Sequence, residues 1–194
     1  MAQALRNSGY FTVEDYLERE QSLGERCEFV NGVVYAMVGG TARHNTSAQK
    51  IFLALANQLP GTCETFIHAT KLKMKTDIGE AFYYPDIMVS CDETDRDPLF
   101  RERPCLVVEV LSPSTEALDR QAKFEQYRKL PSLEHYLLVT QDVPQLEVFA
   151  RAEGWKPHIL SWDDSVDVCG GLATLAVNEI YDGIAFTGLK QGDF

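Results

Sequence analysis

Cys105-Leu106-Val107-Val108-Glu109-Val110-Leu111 is apolar on both parities apart from one glutamate. An extended segment points alternate side chains to opposite faces, so this strand must be covered on both sides. A layered domain, with helices or further strands on each face, supplies that cover. The exception within the run is as informative as the rule. A carboxylate buried at Glu109 without a partner costs several kcal/mol, so the fold has to bring something cationic to it.

The rest of the chain fits such a domain. Thr12 is a good N-cap, with Glu14 and Asp15 in the turn that follows. Val13, Tyr16 and Leu17 then lie at helical spacing before a stop near Gly24. Asn31-Gly32 separates two apolar runs and predicts a hairpin, because both central residues of such a turn take positive φ. Residues 44–59 carry Ile51, Leu55 and Leu59 on one side of a helix that stops at Pro60-Gly61. Strands are expected at about 64–76, 82–90 and 105–111. Ser112-Pro113-Ser114-Thr115 is a turn into a helix that ends before Pro131. A hairpin about Asp142-Val143-Pro144, a short strand near His158–Trp162 and a weaker final segment follow. The 194 residues thus read as one α/β domain, a central mixed β-sheet flanked by helices with added hairpins. Within it, an N-terminal helix and hairpin cover 10–38, the core about 44–150, and C-terminal strands 155–186.

A net charge of −11 excludes a protein that coats nucleic acid through bulk charge. It leaves open a nucleic-acid enzyme, because carboxylates that hold a divalent cation reverse the local field. No apolar run is long enough to span a bilayer, and the N-terminus has no signal-peptide pattern. The cysteines, Cys27, Cys63, Cys91, Cys105 and Cys169, are odd in number and form no CxxC pair. They predict neither a disulfide framework nor a zinc knuckle, and Cys105 and Cys169 read as buried thiols. The cytoplasm is the expected location.

A second acid interrupts apolar sequence at Asp86, within Tyr83-Tyr84-Pro85-Asp86-Ile87-Met88-Val89. Two carboxylates at the ends of neighbouring strands suit a hard divalent cation, which takes one or two carboxylates plus water and phosphate oxygens. Asp119, Lys123 and Tyr127 follow at i, i+4 and i+8 and share one helix face that can fold back over Glu109. Each feature taken alone has a plainer explanation: a turn aspartate, an edge-strand glutamate, a surface ion pair.

These residues resemble the Uma2 family, within the PD-(D/E)XK nuclease superfamily. The resemblance runs through Glu28-Phe29-Val30-Asn31-Gly32, Gly39-Gly40-Thr41-Ala42-Arg43-His44-Asn45 and Tyr84-Pro85-Asp86. It continues through residues 106–115, 119–128 and 131–136, and covers nearly the whole chain. It implies a restriction-endonuclease-like fold, Mg²⁺ or Mn²⁺ as cofactor, and a catalytic set of Asp86, Glu109, Lys123 and Glu28. Asp86 and Glu109 would hold the metal, with the Val110 carbonyl as a further ligand and Glu28 reaching it through a water. In the superfamily pattern the lysine falls at position 111, which here is Leu111; Lys123 on the following helix takes its place.

Other residues carry weaker signals. Lys71, Lys73 and Lys75 alternate and so face one way, either as a solvated sheet face or as a track of phosphate contacts. Arg43 and His44 open a helix where an anion could sit. His44 reads as a helix-start or supporting residue, because no second histidine is suitably spaced. Tyr127 completes the weak substrate-contact set. Ser112 and Ser114 lie in a Pro-containing turn and read as turn or cap residues. The leading expectation is a DNA endonuclease acting as a homodimer. The alternatives are a weakly active binding or assembly module, and a hydrolase of another phosphorylated substrate.

Overall fold

The computed structural model of the chain describes residues 3–4, 10–37 and 39–186; residue 38, the expected end of the N-terminal unit, lies outside them. The N-terminal elements are β1 (Gln3–Ala4), α1 (Val13–Leu23), β2 (Cys27–Val30), β3 (Val33–Ala36) and α2 (Ala42–Gln58). Then come β4 (Glu64–Ile67), β5 (Lys71–Lys75), β6 (Glu80–Tyr83), β7 (Ile87–Ser90), β8 (Phe100–Arg101) and β9 (Leu106–Val110). A helix in three stretches follows: α3 (Glu116–Leu118), a π-helical turn (Asp119–Lys123) and α4 (Phe124–Tyr127). The chain continues through β10 (His135–Val139), β11 (Leu146–Ala150), β12 (Pro157–Leu160), β13 (Ser165–Val168), β14 (Ala173–Ala176) and α5 (Val177–Tyr181).

Local signals are realised where the sequence places them. Thr12 caps α1 with a capping box to Asp15, and Gly24 ends the helix in the left-handed region. Asn31 and Gly32 turn β2 into β3 with φ of 50° and 88°. Thr41 accepts the His44 amide at the start of α2, which fixes where the His44 side chain leaves the helix.

The expected strands over 64–76 and 82–90 are each broken in two, and the halves join different sheets. One sheet runs β1-β3-β2-β6-β5-β8, the other β12-β11-β10-β9-β7-β4. The first break falls at His68, whose φ of 53° turns the chain out of extended geometry. The second falls at Tyr84-Pro85-Asp86, where proline offers no amide to a ladder. Each long segment therefore crosses from one sheet to the other, and the crossings bring His68 beside Asp86.

β9 pairs antiparallel with β7 and parallel with β10, so it is central. On one face Leu106, Val108 and Val110 pack with Ala48, Ile51 and Leu55 of α2 and with Val177 and Ile180 of α5. On the other, Val107 and Leu111 join Tyr127, Tyr136 and Leu138, together with Leu72, Met74 and Tyr83 of the other sheet. Each such fully buried side chain contributes about 1.5–3 kcal/mol. Tyr16 of α1 closes the outer layer with Phe29 and Phe82.

The expectation of free thiols is corrected. Cys63 is joined to Cys91 and Cys105 to Cys169, while Cys27 is free and buried. Sequence spacing concealed these pairs because β4 and β7, and β9 and the β13–β14 turn, meet only in the folded chain. Among the described residues, no helix is long and apolar enough to cross a membrane.

Candidate functional site

Asp86 sits where β7 begins. Its Oδ2 accepts the Val110 amide at 2.7 Å, so the side chain extends the β7–β9 ladder past Pro85. This contact ties the first acid to the residue next to the second. Two histidines complete its surroundings. His44 Nε2, from the first turn of α2, lies 3.1 Å from Asp86 Oδ2, and His68 Nδ1 lies 3.2 Å from Oδ1. The two rings stack at 5.8 Å between centroids. Burial pushes the Asp86 carboxyl upward, but hydrogen bonds from His44 and His68 outweigh it and hold the group well below the usual carboxylate range. Burial likewise pulls the His44 imidazole down, and Asp86, with a Val110 backbone hydrogen bond, raises it overall.

Glu109 faces the other layer and is 3% exposed. Its Oε1 receives Lys123 Nζ at 3.1 Å and the Tyr127 hydroxyl at 3.0 Å. Lys123 Nζ also lies 3.2 Å from Glu28 Oε1 and 3.3 Å from Asp119 Oδ1. One ammonium has three hydrogens, and here it meets three carboxylates. The positive charge falls short of the negative, and the site shows it. Burial, then Asp119, Asp86 and Glu28, drive the Glu109 carboxyl well above its ordinary range against the pull of Lys123. Lys123 loses by burial but gains more from Glu109, Glu28 and Asp119, and is held firmly protonated. Asp119 Oδ1 is buried and makes no hydrogen bond despite the nearby ammonium. A buried carboxylate that shares one ammonium with two other acids fits a site that takes a further cation.

The helix geometry explains the convergence. Asp119 and Lys123 both belong to the π-helical turn, and Tyr127 ends α4; all three are buried on the side facing β9. Single π-helical turns recur at functional sites because the wider turn re-aims side chains. Tyr136 on β10 anchors the turn from below, its hydroxyl donating to the Asp119 carbonyl at 3.0 Å. Glu28 on β2 reaches the cluster from the other sheet, and its Oε1 also accepts the Tyr84 amide at 3.3 Å. Leu111 is packed in the core and offers no charge.

The weaker candidates scatter. Lys71 binds Glu20 at 2.7 Å, and Lys73 binds Glu80 and Glu102, so two of the three alternating lysines are already neutralised. Only Lys75, at the exposed end of β5, remains at the surface. Arg43 turns to the Gln141 carbonyl and Asp142 rather than to Asp86. Tyr127 is fully buried and positions Glu109 instead of meeting solvent. The reading of His44 as lacking a histidine partner is corrected by His68, which lies 24 residues on. No local pattern announces His68; the contact depends on the strand break that turns it toward Asp86. His44 Nε2 or Nδ1, a His68 ring nitrogen and an Asp86 oxygen offer three ligand atoms within 4.8 Å of one another.

Residues 13–177 match the family model described as "Uma2: Putative restriction endonuclease". An uncharacterized protein of Synechocystis sp. is 36% identical over 177 residues, covering 89% of this chain and 92% of the relative. A second uncharacterized Synechocystis protein is 32% identical over 146 residues, covering 72% and 80%. The crystal structure of an Anabaena variabilis protein described as "a putative nuclease belonging to DUF820" superposes with a TM-score of 0.67. It is 14% identical and spans 90% of this chain and 99% of that one, a likeness of fold. That fold is restriction-endonuclease-like, as the sequence predicts.

Proposed function

Because this chain belongs to the Uma2 family, we propose that it is a metal-dependent nuclease that hydrolyses phosphodiester bonds, with DNA as its substrate. The observation that carries this reading is the buried Lys123 ammonium shared by Glu109, Glu28 and Asp119, one residue along β9 from the amide that holds Asp86. In this reading Asp86, Glu109 and the Val110 carbonyl hold Mg²⁺ or Mn²⁺. Such an ion, when bound, acidifies water and neutralises charge on phosphate oxygens.

The chain's own residues supply the rest. Lys123 is too firmly protonated to take a proton from water. Its charge, in surroundings of low dielectric, offsets the negative charge that builds on the phosphoryl oxygens. Tyr127 and Lys123 together fix the Glu109 carboxylate, and His44 and His68 fix that of Asp86. A homodimer belongs to the same reading, because an acidic single domain needs a second copy to grip a duplex. Light scattering at micromolar concentration tests that element separately.

A binding or assembly module that scarcely cleaves draws on one specific observation: Glu109 and Lys123 are only 3% and 5% exposed. The experiment that separates the two incubates the protein with plasmid, single-stranded DNA and RNA, in Mg²⁺, Mn²⁺ or EDTA. The nuclease reading expects nicking or linearisation of plasmid with a divalent ion and none in EDTA. Retardation of DNA on a gel without cleavage in either ion would leave the binding module.

A further inference from the structure

We infer that His44 and His68 join Asp86 as direct ligands, so that the site selects a borderline transition ion such as Mn²⁺, Fe²⁺, Co²⁺ or Zn²⁺ over Mg²⁺. The inference rests on the nuclease reading for the ion's role in catalysis but not for its binding. Three observations carry it.

The first is the donor set. An aspartate alone suits Mg²⁺, whereas two imidazole nitrogens beside one carboxylate suit later first-row ions. Mg²⁺ keeps its waters and takes oxygen; imidazole gains little by displacing them.

The second is spacing. Metal–nitrogen and metal–oxygen bonds of about 2.1 Å place neighbouring ligand atoms about 3.0–3.4 Å apart for octahedral or tetrahedral angles. His44 Nε2 and His68 Nδ1 lie 3.1 and 3.2 Å from the Asp86 oxygens, on Oδ2 and Oδ1 respectively. All three ligand positions fall within 4.8 Å of one another. Small ring rotations would thus let the nitrogens exchange the carboxylate for a shared ion.

The third is backbone strain. His68 is a non-glycine residue with φ of 53°, a conformation that costs on the order of 1 kcal/mol or more and persists only where its surroundings enforce it. They do so from two sides. The His68 amide donates to the Asp86 carbonyl at 3.0 Å, and Arg26 donates to the His68 carbonyl at 2.6 Å. The strained residue is the one whose ring is aimed at Asp86. His44, by contrast, is positioned without strain by the Thr41 cap. Two unrelated segments, one at a helix start and one at a strand break, deliver imidazoles to the same carboxylate.

The test measures binding without cleavage. Calorimetry with Mg²⁺, Mn²⁺ and Zn²⁺ on the intact chain should show Mn²⁺ and Zn²⁺ each bound at least about tenfold more tightly than Mg²⁺. His44→Gln and His68→Gln should each weaken Mn²⁺ by about 10–100-fold, a larger loss than either causes for Mg²⁺. Should either variant fold poorly by circular dichroism, the wild-type protein still decides the matter. Pulsed electron paramagnetic resonance of its Mn²⁺ complex should show ¹⁴N coupling from directly bound imidazole. Equal affinity for Mg²⁺ and Mn²⁺, or a Mn²⁺ complex without ¹⁴N coupling, would overturn the inference while leaving an oxygen-only nuclease site intact. Tight nitrogen-coupled Mn²⁺ in a protein that cleaves no nucleic acid would uphold the site and sink the nuclease reading instead.

Discussion

Among the described residues, two buried lysine–glutamate clusters stand in contrast, one balanced in charge and the other not. Lys71 meets Glu20 at 2.7 Å, with side chains 11% and 8% exposed. Every Glu20 oxygen is answered: Oε1 by the Cys27 amide and the Tyr84 hydroxyl, Oε2 by Lys71 and again by Tyr84. One cation faces one anion, beside a cavity of about 210 Å³ that Lys71, Glu20 and Tyr84 line. Lys123 instead faces three carboxylates, with Asp86 close enough to act on Glu109. A scaffold ion pair closes its own charge, whereas a binding site keeps a deficit for its ligand to fill. The difference between the clusters is a count of charges, and it separates structural polarity from functional polarity more clearly than burial does.

The largest effect that would sharpen this contrast is on ion binding. Asp86→Asn should weaken a bound divalent ion by at least about 100-fold, read by calorimetry. Lys71→Met should leave that affinity within about twofold, because the Glu20 cluster has no deficit to fill. Equal losses would break the comparison.

Stability comes next. Lys123→Met leaves three acids without their cation and should cost about 3–5 kcal/mol, read as the urea midpoint. On an exposed helix face the same replacement would spare the fold. Lys71→Met strands one anion that water in the adjacent cavity can reach, so its cost should be nearer 1–3 kcal/mol. Adding Glu109→Gln should recover part of the Lys123→Met loss.

The pH dependence of stability, measured in EDTA, carries the next largest effect, and its sign differs between Glu109 and Asp86. Glu109 is raised above its ordinary 4.5. The native state then holds its proton longer than the unfolded chain, so its contribution is full below 4.5 and is lost as pH rises through the folded value. Glu109→Gln should flatten that fall. Asp86 is lowered from 3.8, so its contribution is present above 3.8 and is lost as pH drops further. His44 is raised from 6.5, so its share is full below 6.5 and fades above. The His44–Asp86 contact therefore stabilises most between roughly 4 and 6.5. His44→Gln should remove that advantage, and an unchanged pH profile would speak against the contact.

Tyr127→Phe is the mildest change. It removes one of the two donors to Glu109 and should cost about 1 kcal/mol, with Lys123 left to hold the carboxylate.

Much of this was readable from residues alone because it is local. The caps at Thr12 and Gly24, the Asn31-Gly32 turn and the doubly covered β9 follow from neighbours along the chain. So does the face shared by Asp119, Lys123 and Tyr127. What escaped is long-range. Lys71 read as part of a solvated sheet face or a track of phosphate contacts because its partner Glu20 lies 51 residues away. His68 looked unremarkable because only the crossing of one segment between two sheets turns it toward Asp86. The cysteine pairs escaped because their partners lie 28 and 64 residues apart in the chain. The π-helical turn has no propensity signature that separates Asp119–Lys123 from an ordinary helix.

The measurement that bears most directly on the account is the single-turnover cleavage rate of duplex DNA, in saturating Mn²⁺, for Lys123→Met beside Lys71→Met. Rates are taken per folded molecule, at a temperature where both variants remain native. Loss of a charged group that stabilises the transition state costs about 10²–10³ in rate, and the account predicts that loss for Lys123→Met with Lys71→Met within about threefold of wild type. A Lys123→Met protein that cuts DNA as fast as Lys71→Met would contradict it, and would reduce the Lys123 cluster to a second, poorly balanced piece of scaffold.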